Sequence, residues 1–143
     1  MKTFEYTLKV TVGPTNIEGN VYWTSYFEWF GVARELFLMN LFPSDVNAFE
    51  QLFSQLIMIV TCDAQMKLVK PSYFSDDLVI KINTAKFGKC SLTLLVKIIN
   101  KKSGDLIAKG EQKLAFCHLE THKFIKIPED LLMAAKEYEK NKK

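Results

Sequence analysis

The sequence predicts an α+β fold in which one long helix is wrapped by an antiparallel sheet of five to six strands, all within a single domain spanning residues 1–143. Three observations predict it. From Thr3 to Val12 the apolar residues Phe4, Tyr6, Leu8, Val10 and Val12 alternate with Thr3, Glu5, Thr7, Lys9 and Thr11, the period-2 signature of a half-buried strand. From Asn16 to Glu35 a polar turn around Gly19 runs into an aromatic segment that is apolar nearly all round, the pattern of a helix covered on most sides by protein. From Leu56 to Leu119 four β-rich segments follow one another, separated by turn residues.

Composition supports one core and excludes several function classes. At 143 residues with 48% hydrophobic and 13% aromatic residues, the chain suffices for one substantial core. The net charge of +3 is modest, and much of the lysine excess lies in the tail from Lys136 to Lys143 among Glu137 and Glu139. That pattern reads as a solvated helix end and argues against nucleic acid as a partner. Cys62, Cys90 and Cys117 are odd in number, far apart and without C-x-x-C spacing, so neither a zinc site nor a disulfide framework is expected. No metal or organic cofactor is implied. The opening MKTFEYTLKV alternates polar and apolar residues, leaving no signal-peptide core, and no apolar run reaches a membrane span. The expected location is a reducing cytoplasm, away from membranes.

The elements follow in order. Gly13 and Pro14 end the first strand, and Asn16 to Asn20 form a turn-rich loop. Ser25-Tyr-Phe-Glu28 fits a capping box, which predicts a main helix from about Tyr26 to about Leu41, broken by Pro43 and Ser44. Residues 45–53 read as a short helix or loop. Strands are expected near Leu56 to Leu68, Leu78 to Phe87, Ser91 to Asn100 and Leu106 to Leu119, with turns at Pro71, Ser75-Asp-Asp77, Gly88 and Ser103-Gly-Asp105. His122 to Ile127 is a candidate short final strand, and Pro128-Glu-Asp opens an amphipathic helix through about Lys140. One helix cannot cover both faces of such a sheet, and an open edge invites pairing, so a homodimer is expected, with a tetramer left open.

The order of strand, loop with Gly-Asn-Val-Tyr, helix of the form Y-F-x-W-F-x-x-A-R and consecutive strands resembles the hot-dog fold thioesterases of the 4-hydroxybenzoyl-CoA thioesterase type. The resemblance implies a single hot-dog domain acting on acyl thioesters. Family members usually carry, three residues before the turn glycine, an aspartate that serves as nucleophile or base; here that position is Asn16. The thioesterases of enediyne polyketide biosynthesis are more similar still. Their T-N-x-x-G-N-V-Y motif is matched by Thr15-Asn16-Ile17-Glu18-Gly19-Asn20-Val21-Tyr22, and their functional arginine lies at the place of Arg34. The resemblance therefore nominates Asn16 and Arg34 as catalytic, with Gly19, Asn20, Tyr22, Trp23, Tyr26, Phe27 and Glu28 on the substrate side. It implies an acyl carrier protein or polyketide synthase as partner, with a β-ketoacyl polyene among the candidate chains.

The chemistry follows from the residue types. Thioester hydrolysis needs an attacking water and donors for the oxyanion, and free N–H groups between Trp23 and Phe27 at a helix start supply such donors. An asparagine cannot act as a carboxylate nucleophile or as a base near neutral pH, so Asn16 is read as a group that positions water or carbonyl. The base is then Glu28, Glu35, Asp63 or hydroxide. Arg34 lies on the order of 13 Å along the axis from the helix start. It is expected to hold the acyl chain farther along, or to enter a partner subunit's site. Each residue also has a structural reading: Asn16 as a turn former, Arg34 as an ion-pair member, Glu28 as half of the capping box, and the aromatics as core. His118 and His122 lie near the chain end with no nucleophile motif beside them. Alternatives are a general acyl-CoA thioesterase and a non-catalytic acyl-binding subunit; a dehydratase is disfavoured because no histidine precedes Cys117.

Overall fold

In the computed structural model, which describes residues 1–42, 50, 52 and 54–140, an antiparallel sheet of five strands curls around one long helix. The elements are β1 (Phe4–Lys9), α1 (Trp23–Asn40), β2 (Ile57–Leu68), β3 (Asp77–Ala85), β4 (Ser91–Asn100), β5 (Leu106–His118) and α2 (Glu129–Lys136). The sheet order is β1-β3-β4-β5-β2, and every neighbouring pair is antiparallel. β2, twelve residues long, and β1 are the two edges.

The core lies between α1 and the concave face of the sheet. On α1 the buried residues Tyr26, Phe30, Ala33 and Phe37 recur at helical spacing and form one stripe. They face Leu78, Ile80 and Ile82 of β3 and Leu92, Leu94, Val96 and Ile98 of β4, all buried. Each fully buried aromatic or branched side chain contributes about 1.5–3 kcal/mol relative to exposure. Phe37 is held edge-on by Phe4 at 5.6 Å and by Tyr138 at 5.0 Å, which ties the two chain ends to the helix. Thr84 Oγ1 donates to the Ala135 carbonyl at 2.8 Å and fastens α2 to β3.

Several boundaries differ from expectation for identifiable reasons. The first strand ends at Lys9, and Val12 is 67% exposed instead of buried, because Val10 N–H turns to the Asp76 carbonyl and the chain leaves the sheet. The helix begins at Trp23, three residues early, and the Ser25–Glu28 capping box does not form. Tyr22 takes an extended conformation, pinned by its N–H to the Pro14 carbonyl at 2.9 Å, so Ser25 already sits in the first turn with its Oγ aimed at that same carbonyl. The expected strand at 122–127 reduces to a single bridge, Cys117 to Phe124, and α2 stops at Lys136. The expected helix or loop at 45–53 lies outside the described residues apart from Glu50 and Leu52. One side of α1 is not wrapped within the chain: Glu28, Val32, Glu35 and Met39 recur at i, i+4, i+7 and i+11 and are exposed, a stripe half apolar and half acidic. Among the described residues, no helix is long and apolar enough to cross a membrane.

Candidate functional site

The loop before α1 is built from backbone pairs that converge on Asn16. Thr15 bridges Val21, Asn16 N–H donates to the Asn20 carbonyl at 2.9 Å, and Gly19 N–H returns to the Asn16 carbonyl at 2.9 Å. Gly19 sits at φ +86, a left-handed conformation that a residue with a Cβ adopts at a cost, so the glycine closes the turn. The Asn16 Oδ1 accepts the Glu18 N–H at 3.2 Å, the local turn bond that the structural reading anticipated.

This loop is anchored to the β2–β3 connection. Val21 N–H donates to the Ser72 carbonyl at 2.8 Å, Phe74 N–H to the Gly19 carbonyl at 3.0 Å, and Asn20 bridges Tyr73. Beneath it the Tyr26 hydroxyl and Ser72 Oγ share a buried hydrogen bond of 2.6 Å. Burial raises the Tyr26 pKa above its ordinary value, and the bond to Ser72 opposes the shift. Between these segments lies a cavity of about 450 Å³ lined by Asn16, Asn20, Tyr22, Trp23 and Tyr26 on one side and Leu68 to Pro71 on the other. Asn20 Oδ1 is buried and has no hydrogen-bond partner among the described residues. No side chain caps the start of α1 and no acidic residue lies in its first turn, so the positive helix end is uncompensated.

Of the nominated residues, five therefore surround one cavity. Asn16 and Tyr22 also border a second depression, with Thr24, Ser25 and Glu28, which places the Glu28 carboxylate beside the Asn16 loop. Gly19 shapes the turn and lines neither cavity; Phe27 also lines neither and packs edge-on against Trp23 at 6.4 Å. Asp63 is exposed on β2 and accepts a hydrogen bond from Gln65 at 3.2 Å.

Arg34 occupies a separate place, as its axial distance from the helix start predicts. Its Nη1 donates to Thr61 Oγ1 on β2 at 2.7 Å, and the same Oγ1 accepts Gln112 Nε2 at 3.3 Å. Arg34 Nε and Gln112 Oε1 are buried and have no hydrogen-bond partner among the described residues. Arg34 also lines an apolar cleft of about 270 Å³ formed by Leu38, Met39, Phe42, Ile57, Ile59 and Leu119, with Glu35 at its side. The expected ion pair of Arg34 with Glu35 or Glu28 does not occur among the described residues. Sequence reasoning missed Thr61, Gln112, Ser72 and the Leu68 to Pro71 wall, whose only local signal is the turn at Pro71. His118 Nδ1 accepts the backbone N–H groups of Glu120 and Thr121 and shapes a turn.

A curled antiparallel sheet around one central helix, with a cavity at that helix's start, defines a hot-dog domain. The profile of the thioesterase-like superfamily matches residues 10–135, and the chain belongs to that superfamily. Solved structures give the same fold. The 1,4-dihydroxy-2-naphthoyl-CoA thioesterase Slr0204 of Synechocystis superposes with a TM-score of 0.83 at 18% identity, over 95% of this chain and 97% of that one. The dynemicin thioesterase, studied for induced fit and allostery upon polyene binding, gives 0.86 at 21% identity over 99% and 100%. Protein SAV2348 of Staphylococcus aureus, in complex with CoA, gives 0.89 at 12% identity over 99% and 89%. No curated protein sequence matches the chain significantly.

Proposed function

We propose that this protein is a thioesterase that hydrolyses an acyl thioester at the start of α1, with the acyl group delivered on an acyl carrier protein. The observation that carries the reading is the cavity in which Asn16, Asn20, Tyr22, Trp23 and Tyr26 meet the uncapped helix start. The free N–H groups of the first turn face the position where an oxyanion develops, and the helix dipole favours that charge. Asn16, held by its own turn, positions the water or the carbonyl with its amide nitrogen, because its oxygen is engaged with Glu18 N–H. Glu28 is the carboxylate that borders the Asn16 loop and takes the part of general base through a water. The unpartnered Asn20 oxygen suits an amide N–H of the thiol arm.

Arg34 serves the acyl end in this reading. Its spare guanidinium donor, with Gln112 and Thr61 beside it, suits a keto or carboxylate oxygen, and the apolar cleft of Leu38 and Ile57 suits a hydrocarbon chain. Chains of the β-ketoacyl polyene type, as the enediyne resemblance implies, combine both features. The bond from Arg34 to Thr61 also places the arginine on edge strand β2. Pairing of β2 with a second copy would bring one protomer's Arg34 toward the partner's cavity, and the exposed stripe of α1, Glu28, Val32, Glu35 and Met39, would face the partner there.

The test is free-thiol release from short, long and aromatic acyl thioesters of CoA and of acyl carrier protein, for wild type, Asn16→Ala and Arg34→Ala. Turnover cut tenfold or more by both substitutions, about 1.4 kcal/mol each, supports the mechanism. Hydrolysis of CoA esters with no preference for the carrier-bound form supports the general acyl-CoA enzyme. One observation favours a non-catalytic acyl-binding subunit: the position of the usual carboxylate holds an amide whose oxygen closes a turn. Binding of a thioester with no turnover of any substrate supports that alternative.

A further inference from the structure

The convex face of the sheet carries an unusual alignment. In the strand registers Lys81 of β3 stands opposite Lys97 of β4, Lys97 opposite Lys109 of β5, and Lys109 opposite Lys67 of β2. Residues directly opposite in an antiparallel sheet project to the same face, so four ammonium groups form one row across four strands. With strands about 4.8 Å apart, the row is about 14 Å long. Lys140, from the segment after α2, joins it: Lys67, Lys97, Lys109 and Lys140 border one shallow depression of about 430 Å³.

The row is poorly neutralised. Lys81 pairs with Glu5 at 3.4 Å, and Glu111, the nearby carboxylate in the depression, is engaged by Lys86 at 3.3 Å. Among the described residues Lys67, Lys97, Lys109 and Lys140 form no ion pair. Lys140 foremost, then partial burial, then Lys109 and Lys81, hold the Lys97 pKa below its ordinary value. Like charges directly opposite one another destabilise a sheet, so the row carries a cost.

We propose that this lysine row is the docking surface for an acidic α-helix of a partner protein lying across the strands. The pitch of a helix, about 5.4 Å per turn, matches the strand spacing, so carboxylates at i, i+4, i+7 and i+11 on one stripe meet one lysine each over about three turns. The row is open and made of flexible point charges. It lacks the converging backbone donors or arginine forks that chelate a compact phosphate. Its β2 end, Lys67, is followed directly by Leu68, which lines the Asn16 cavity. Resting on the thioesterase reading, the docked helix belongs to the carrier protein that brings the acyl chain, and docking sets that protein at the rim of the cavity.

The experiment measures binding of an apo-acyl carrier protein, which has no prosthetic arm and nothing to hydrolyse, by fluorescence anisotropy at several salt concentrations. Wild type is compared with Lys97→Glu/Lys109→Glu and with the milder Lys97→Gln/Lys109→Gln. Hydrolysis of a small acyl-N-acetylcysteamine thioester is followed in parallel. The expected result is binding that weakens with salt, falls at least tenfold in the charge-reversed variant and less in the neutral one, with small-thioester turnover unchanged. Thermal stability of both variants should equal or exceed wild type, since repulsion along the row is relieved. Carrier binding indifferent to the substitutions, absence of carrier binding, or row-dependent binding of a DNA duplex or of CoA in its place would each overturn the proposal. Row-dependent carrier binding with no turnover of the small thioester by wild type would uphold the docking surface while removing the thioesterase reading.

Discussion

Arg34 and Thr61 are joined by a 2.7 Å hydrogen bond that ties the middle of the central helix to the edge strand β2. Thr61 Oγ1 accepts from both Arg34 and Gln112, so one hydroxyl orients two side chains, each of which keeps a buried atom with no partner among the described residues. Buried polar atoms of that kind are expensive unless something else engages them, and Arg34 lines the apolar cleft.

Replacing that hydroxyl separates orientation from chemistry. Thr61→Val should cost about 1–2 kcal/mol of stability in denaturant unfolding, the net worth of the two bonds the hydroxyl accepts. It should also lower kcat toward long acyl thioesters while a two-carbon thioester is unaffected, and Thr61→Ser should restore both. Equal loss on short and long substrates would argue against a role for Arg34 at the acyl chain.

Asn16→Asp is the informative change at the loop. The carboxylate retains the acceptor for the Glu18 N–H, and its negative charge near the uncompensated helix start should stabilise the fold by about 0.3–1 kcal/mol. Thiol release near neutral pH should rise if the missing base limits the rate, whereas Asn16→Ala should lower it at least tenfold. A rate unchanged by either substitution would remove Asn16 from the reaction.

Tyr26 gives the fold an alkaline limit. Burial raises its pKa above the ordinary 10.0, so the unfolded chain releases the phenolic proton at lower pH than the folded one. The stabilising contribution is therefore complete below about pH 10 and is lost as pH rises through the folded value. Tyrosinate absorbance should show a late-titrating step that Tyr26→Phe abolishes, and the same substitution should flatten the decline of stability above about pH 10.

Gly110 permits the close approach of β5 to β2 at the register pair with Met66. A Cβ there would overlap the Gln65 carbonyl oxygen and crowd the Met66 backbone. Gly110→Ala should destabilise by about 1–3 kcal/mol or more, because backbone cannot yield as a flexible side chain can. Hydrogen exchange should accelerate first along β2, and an unchanged melting temperature would contradict the observed spacing.

The sequence by itself determined the element order and the sheet. Period-2 alternation around Tyr6, the apolar runs at Ser91–Asn100 and Leu106–His118, and the turns at Pro71 and Gly104 are local signals, and each places its strand within a few residues. It also placed Gly19, Asn20 and Tyr22 in the loop that precedes the helix, because turn chemistry is written in adjacent residues. The helix start was misplaced because Ser25 and Glu28 satisfy a local rule that the long-range bond from Tyr22 N–H to Pro14 overrides. Only tertiary structure decided that Ser72 meets Tyr26, that Thr61 and Gln112 receive Arg34, and that Leu68 to Pro71 close the Asn16 cavity. The same holds for the lysine row. Lys67, Lys81, Lys97 and Lys109 are scattered along the chain, and strand register alone, which depends on pairing between distant segments, sets them side by side.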